Sequence, residues 1–248
     1  MYLFYTPDIA TSKCLSEEES AHCVRVLRYG VGDQILLTDG KGVTYTAQIT
    51  NPHPKHCEFT VLSSERQTKG HNFHLHIAIA PTKNVERLEW MVEKCTEIGV
   101  DEITPLLCRF SERKQLRTDR LAKIILSAAK QSLTPYLPVL NELTPYDEFI
   151  RDADEQYKFI AHCYKEDKRN LRDEQLRIRE QLNNITTSPS ADNLPSQLIL
   201  IGPEGDFSEQ EIKDALSLGF IPVSLGNSRL RTETAGVVAC HTAILMNE

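Results

Sequence analysis

Two stretches near the C-terminal end gather residues suited to holding a small ligand and reacting with it. In the first, the apolar run Leu198-Ile199-Leu200-Ile201 ends abruptly on Gly202-Pro203-Glu204-Gly205. The glycines permit positive φ and close approach of a ligand, and the proline stiffens the turn. Glu204 either hydrogen-bonds that ligand or braces its own loop. In the second, Leu225-Gly226-Asn227-Ser228-Arg229-Leu230-Arg231-Thr232-Glu233-Thr234-Ala235, two arginines follow a small, bare segment. A guanidinium stabilises an anion and also binds phosphate. Arg231 is the candidate catalytic residue. Glu233 is the nearest carboxylate able to accept a proton, although the start of a helix also suits its charge. Neither a Walker loop nor a GxGxxG fingerprint occurs, so nucleoside triphosphates and NAD are disfavoured. An uncharged or cationic ligand held by backbone groups fits better.

These loops need strands and helices to aim them. The apolar run reads as a buried strand, and Ser208 with Glu211 forms a capping box that opens the next helix. A further strand leads into the second loop. From residue 73 on, strand and helix patterns alternate: FHLHIAIA, then VERLEWMVEKCTEIG stopped by Gly99, EITPLLC, RLAKIILSAAKQS and KFIAHCY. Alternation of this kind predicts a mostly parallel sheet covered by helices, with ligands bound beyond the carboxyl ends of its strands. Residues 166–197 read as a charged helix finishing in a polar surface loop. Residues 1–68 differ. Val43, Tyr45, Ala47 and Ile49 alternate with polar residues after the turn Asp39-Gly40-Lys41-Gly42, CEFTVLSS supplies another strand, and Ser16 with Glu19 opens a short helix. A small barrel that closes its own edges is the economical arrangement. The polar stretch SERQTKGHN separates it from the second domain, residues 73–248.

Composition narrows the function classes. The chain has 248 residues, 40% hydrophobic and 25% charged, with a net charge of −7, as in ordinary globular proteins. Seven widely spaced cysteines without a CxxC pair suggest neither a disulfide framework nor a cysteine zinc site. No basic leader or membrane-length apolar run is present, which points to a cytoplasmic protein without a membrane partner. One segment reverses the overall charge: residues 109–130 carry Arg109, Arg113, Lys114, Arg117, Arg120, Lys123 and Lys130 against Glu112 and Asp119. It is either a guide for a polyanion or a solvated helix face. His22, Arg25 and Arg28 recur three apart on one helical face and are candidates for backbone phosphates, or form a charged face toward solvent. His71, His74 and His76 lie close together, but no carboxylate follows at ligand spacing, so no metal is expected. His162 ends a strand that should finish beside the glycine-bearing loops.

IGPEGDF, LGNSRLRTETA and VEKCTEIGVDEITPLLCRFSER together resemble the RsmE family of SPOUT-superfamily methyltransferases, and HCVRVLR and the DGKG hairpin extend the likeness over nearly the whole chain. The resemblance implies a PUA-like RNA-binding barrel joined to an α/β domain with a C-terminal trefoil knot. It implies S-adenosyl-L-methionine as cofactor, methylation at N3 of one uridine in 16S ribosomal RNA of the assembled small ribosomal subunit, and a homodimer. Carried over residue by residue, the cofactor-binding set is Leu200, Ile201, Gly202, Pro203, Glu204, Gly205, Leu225, Gly226, Ser228, Leu230, Arg231, Thr234 and Ala235. The RNA-binding set is His22, Arg25, Arg28, Arg109, Arg113, Lys114 and Arg117. Two positions depart from the family pattern: Asp206 stands where many members have glycine, and Thr134 follows Gln131-Ser132 where many carry an arginine shortly afterwards. A related SPOUT enzyme acting on transfer RNA and a non-catalytic ribosome-assembly module are the alternatives. The latter has no need for a cofactor pocket.

Overall fold

Alternating apolar and polar residues in the N-terminal quarter build one small sheet, and the long apolar runs after it build a larger one buried on both faces. The computed structural model describes residues 2–165, 168–183 and 195–247. The expected loop after the charged helix falls mainly outside them. The chain forms two units. One comprises the residues up to Lys69 together with Leu126–Leu137, and the other Gly70–Ile125 with the residues from Pro138 on.

In the first unit, β1 (Leu3–Tyr5), α1 (Glu17–Ala21), β2 (Gln34–Thr38), β3 (Val43–His53) and β4 (His56–Arg66) follow in order. The sheet runs β1-β2-β3-β4, with β1 parallel to β2 and the other pairs antiparallel. Register shifts at Thr46/Ala47 and Ile49/Asn51 bend the long hairpin, wrapping it over Phe4, Ile35, Leu37, Ile49, Cys57 and Phe59. The turn Asp39-Gly40-Lys41-Gly42 also has a long-range purpose. Gly42 has φ +91, and a Cβ there would lie 2.1 Å from the Tyr136 ring, whose hydroxyl donates to Gln67 O at 2.7 Å.

Ser16 caps α1 by accepting from the Glu19 N–H at 3.2 Å. Glu19 turns its carboxylate to Lys130 instead, at 2.5 Å, so the expected reciprocal half of this box gives way to a buried ion pair. A π turn, His22–Val26, follows α1, and Arg28 lies beyond it with φ +61. His22, Arg25 and Arg28 therefore share no helical face, because i→i+5 bonding breaks the spacing that would align them.

The second unit contains β5 (His74–Ile79), α2 (Val85–Ile98), β6 (Glu102–Leu107), the start of α3 (Thr118–Ser132), β7 (Val139–Leu140), β8 (Thr144–Pro145) and α4 (Tyr146–Asp152). It continues through β9 (Tyr157–Ala161), β10 (Arg169–Asn170), α5 (Leu171–Asn183), β11 (Ser196–Ile201), α6 (Glu209–Ser217), β12 (Ile221–Ser224) and α7 (Thr232–Asn247). All pairings are parallel, in the order β10-β12-β9-β11-β5-β6-β7, with β8 also on β6. Ala78, Leu198, Leu200 and Ile160 pack with α4 and α6. Ile79 faces the other way, toward Met91 of α2 and Gly236 of α7. Gly99 ends α2 in the left-handed conformation with φ +109, as the sequence predicts.

Candidate active site

Strand order decides what meets at the edge. β11 and β12 carry the two glycine-bearing loops, but β9 lies between them. Its carboxyl end therefore supplies a third wall, and β5 on the far side of β11 supplies a fourth loop. The sequence places the strand of His162 beside these loops, and the sheet order puts it between them.

The turn after β11 is braced from several directions. Pro203 O accepts from the Asp206 N–H at 2.9 Å. Asp206 holds φ +67, a strained conformation that aspartate tolerates better than most residues. Its carboxylate accepts from the Phe207 N–H at 2.8 Å and from the Cys163 N–H, beyond β9, at 2.7 Å. Glu204 reaches the opposite way, accepting from the Lys83 N–H beyond β5 at 2.9 Å. Phe207 is fully buried, its ring centroid 5.5 Å from that of Tyr146. A Cβ on Gly202 would come within 3.1 Å of Phe207, so this glycine admits the anchor of the turn. Ser208 and Glu211 complete the predicted capping box, and Glu211 also accepts from the Arg109 N–H at 2.8 Å.

The loop after β12 is bare by contrast. Ser224 Oγ donates to Gly226 O at 3.0 Å and accepts from its N–H at 3.2 Å. Gly226 has φ +132 with nothing within 4 Å of a would-be Cβ, so backbone angle rather than crowding calls for glycine. Arg229 and Arg231 are exposed, and no carboxylate pairs with either among the described residues.

Two adjoining clefts of about 340 and 330 Å³ open between these loops. They bring together Ile201, Gly202, Pro203, Glu204, Leu225, Gly226, Ser228, Leu230, Arg231 and Ala235 of the expected cofactor set. Leu200, Gly205 and Thr234 are not among the lining residues. Leu200 belongs to the core, and Gly205 lies against Phe110, whose Cβ would be 3.2 Å from a glycine Cβ. His162 does line the cleft, as its strand suggests, and Ala161, Cys163 and Lys168 join it without having been singled out. Lys168 Nζ donates to His162 O and Tyr164 O at 2.5 and 2.7 Å, fixing the end of β9. Burial first, then Asp206, pushes the Cys163 thiol up, with Arg229 and Lys168 opposing. It is therefore a neutral thiol near pH 7, unsuited to nucleophilic attack. Glu233 is buried near Arg87, its Oε1 3.8 Å from the guanidinium, and is not among the lining residues. That placement favours a role at the start of α7 over proton transfer.

The expected RNA-contacting residues divide. Arg109 and Lys114 are exposed. Arg117 is paired with Asp119 at 2.9 Å, and Arg113 donates to Thr82 O and Lys83 O at 3.2 and 2.7 Å. In the first unit His22 stacks on Tyr2 with centroids 4.6 Å apart, while Arg25 and Arg28 face solvent.

The histidines near residue 74 lie at the other end of β5. His76 contacts Glu155 at 2.6 Å and Thr104 at 2.7 Å, and His74 contacts Glu102 at 2.9 Å. These carboxylates come from neighbouring elements, out of reach of local spacing rules. The His74 hydrogen bond leads the effects that hold Glu102 down at about 2, with the His76 charge and the Asn141 amide adding to it. Among the described residues no group of three His, Cys, Asp or Glu side chains is arranged to hold a metal ion, and no helix is long and apolar enough to cross a membrane.

An RNA methyltransferase domain model matches residues 69–244, which include every residue of both clefts. The chain belongs to this RNA methyltransferase family. An RNA methyltransferase PUA domain model matches residues 15–62. A probable rRNA-methyltransferase from Porphyromonas gingivalis is 40% identical, with a TM-score of 0.87 over 100% of this chain and 98% of the other. A putative methyltransferase from Legionella pneumophila, solved with bound cofactor SAM, is 28% identical with a TM-score of 0.76 over 97% and 96% of the two chains. Ribosomal RNA small subunit methyltransferase E of Synechocystis is 28% identical over 93% of this chain and 72% of that protein.

Proposed function

We propose that this protein transfers the methyl group of S-adenosylmethionine to N3 of a uridine in 16S ribosomal RNA. The observation that carries the reading is the meeting of the braced turn and the arginine-bearing loop over one cleft, in a chain whose Legionella relative holds SAM. Small and apolar groups, Ala161, Ile201, Leu225, Leu230 and Ala235, offer a surface for an adenosine. Glu204 and Asp206 put negative charge on the turn side of the cleft, which suits a ligand bearing a sulfonium and an ammonium group.

S-adenosylmethionine, when bound, supplies a methyl group on a positively charged sulfur. The protein's part is to place uracil N3 in line and to favour the base after its N3–H proton is lost. Arg231 and Arg229 are suited to that task, because a guanidinium that donates to O2 or O4 stabilises the anionic base. With no carboxylate pairing with either among the described residues, the donors are available. Arg109 and Lys114, with Arg25 and Arg28 in the first unit, supply positive charge for the RNA backbone. A trefoil knot in the C-terminal segment, cytoplasmic action on the assembled small subunit, and a homodimer using exposed Leu245 and half-exposed Val238 of α7 complete the proposal.

Calorimetry with S-adenosylmethionine, followed by nucleoside mass spectrometry of 16S RNA from small subunits incubated with enzyme and cofactor, tests the reading. Cofactor binding and 3-methyluridine are expected. No binding at millimolar cofactor would remove the enzyme reading, and a different methylated nucleoside would redirect the base assignment. Sedimentation at micromolar protein tests the dimer.

A further inference from the structure

Arg113 sits within the most basic stretch of the chain, yet its guanidinium is occupied. Nε donates to Thr82 O at 3.2 Å and a terminal nitrogen donates to Lys83 O at 2.7 Å. Both carbonyls belong to the loop leaving β5. The same loop presents its Lys83 N–H to Glu204 Oε1 at 2.9 Å, and Glu204 belongs to the turn that lines the cleft. Lys83 is held at its other end too, its Nζ 2.7 Å from Glu112 Oε2. A continuous set of contacts thus runs from the basic segment through the β5 loop to the Gly-Pro-Glu-Gly turn. A loop carbonyl pair gripped by one guanidinium keeps its peptide planes in a fixed orientation. The Lys83 N–H is therefore aimed at Glu204 by Arg113.

We propose that Arg113 is a positioning residue for the cofactor turn, acting through Thr82, Lys83 and Glu204, and that it is not one of the RNA phosphate contacts. The inference rests on reading the cleft as an S-adenosylmethionine site. A charge held on two backbone carbonyls adds little to a counterion-release slope, whereas loss of the grip frees the turn to sample orientations that do not bind ligand. Lys114, exposed beside it, has the opposite profile.

The test uses the full-length protein and its variants Arg113→Ala, Arg113→Lys, Glu204→Ala, Glu204→Gln, Lys114→Ala and Arg113→Ala/Glu204→Ala. Wild type must first bind S-adenosylmethionine; if it does not, the functional reading fails and not this inference alone. Arg113→Ala is expected to weaken S-adenosylmethionine about tenfold and raise its KM in step. The dependence of 16S RNA affinity on salt should stay at the wild-type slope. Arg113→Lys, which keeps the charge and N–H donors but not the planar fork, should recover part of the cofactor affinity, and Glu204→Gln, which keeps an acceptor for the Lys83 N–H, should do better than Glu204→Ala. Because Arg113 acts through Glu204, the double variant should be little worse than Glu204→Ala alone. Lys114→Ala should flatten the salt slope and leave cofactor affinity as it was. Thermal melting confirms that each variant is folded at the assay temperature, and Arg113→Lys and Glu204→Gln carry the comparison if the alanine variants are not. A flattened salt slope with unchanged cofactor affinity in Arg113→Ala, or additive losses in the double variant, would overturn the proposal.

Discussion

The two loops that face each other across the cleft are built on opposite plans. The turn after β11 is fastened by Glu204 to the β5 loop, by Asp206 to the end of β9, and by the buried Phe207 ring to the core. The loop after β12 is held locally by the Ser224 hydroxyl, which donates to Gly226 O and accepts from its N–H, and leaves Gly226, Asn227, Ser228 and Arg229 exposed. Polar side chains used up on neighbouring backbone give rigidity, and polar side chains left over are available to a substrate. A site needs both, since a preorganised platform lowers the ordering cost of binding and free donors meet the charge that develops during reaction.

The largest effect should come from removing a leftover donor. Arg231→Ala is expected to lower kcat about a hundredfold while changing the S-adenosylmethionine dissociation constant only a few-fold, as found when one donor to a developing anion is lost. Single-turnover methyl transfer and calorimetry on the same variant separate the two quantities. Equal losses in both would make Arg231 a cofactor ligand only, and the loop would then resemble the turn opposite.

The opposite edge of the sheet offers a control in which every partner is local to the fold. Glu102 accepts from Asn141 at 2.6 Å and lies 2.9 Å from His74, with His76 and Glu155 close by. Its carboxyl is held at about 2 against an ordinary 4.5, chiefly by the His74 hydrogen bond. A depressed carboxylate stabilises the fold fully above its unfolded value, and that stability is lost as pH falls from about 4.5 toward 2. Glu102→Gln should cost on the order of 2 kcal/mol at pH 7, allowing for partial solvent access, with the difference from wild type shrinking below pH 4. Denaturant titrations at pH 7 and pH 3 measure it. Activity per folded molecule at pH 7 should be unaffected, since this cluster lies at the far end of β5.

Much of this architecture was legible because local signals coincide with global ones. The Ser208 and Glu211 capping box, the Gly99 stop and the alternation along β3 each report on a few neighbouring residues. What was not legible depends on chain that returns from far away. Glu19 looks like half of a capping box until Lys130 arrives, and Gly42 looks like an ordinary turn glycine until the Tyr136 ring takes the space of its missing side chain. Arg113 reads as one more positive charge until the β5 loop is seen beneath it. The cleft was half visible for the same reason: its two glycine-bearing loops are contiguous motifs, whereas Ala161, Cys163 and Lys168 enter only because β9 is inserted between β11 and β12.

The fastening of the turn can be loosened at Asp206 in two ways. Asp206→Ala removes both carboxylate bonds and keeps a side chain in a left-handed backbone, whereas Asp206→Gly removes the same bonds and relieves the strain. Alanine should therefore be less stable than glycine by about 0.5 kcal/mol, the left-handed strain less the entropic cost of glycine, by thermal or urea unfolding. Both should weaken cofactor binding through loss of the tie to the Cys163 N–H. If the glycine variant bound cofactor as tightly as wild type, backbone conformation alone would shape the turn and the tie to β9 would be incidental.

Leu133 provides the smallest and cleanest contrast, strain without a tether. It follows α3 with φ +57, in the position where helices commonly end on a left-handed glycine. The helix end is otherwise satisfied, with the Thr134 N–H reaching Ala129 O at 2.9 Å and Ser132 Oγ reaching Ala128 O at the same distance. The leucine side chain is 45% exposed, so truncating it gives up about half of the roughly 1.5–3 kcal/mol that full burial of a leucine contributes. Relief of left-handed strain is worth roughly 1–2 kcal/mol, and the greater flexibility of glycine in the unfolded chain takes back about 0.5–1. The lost burial, about 1 kcal/mol, roughly offsets that gain, so Leu133→Gly should melt within about 2 °C of wild type. Leu133→Ala keeps the strain and loses the remaining contacts, so it should melt slightly below wild type. If both variants melted lower by the same amount, burial of the leucine would outweigh its backbone strain, and Asp206 would owe its stability to its tie and not to any special tolerance of the left-handed region.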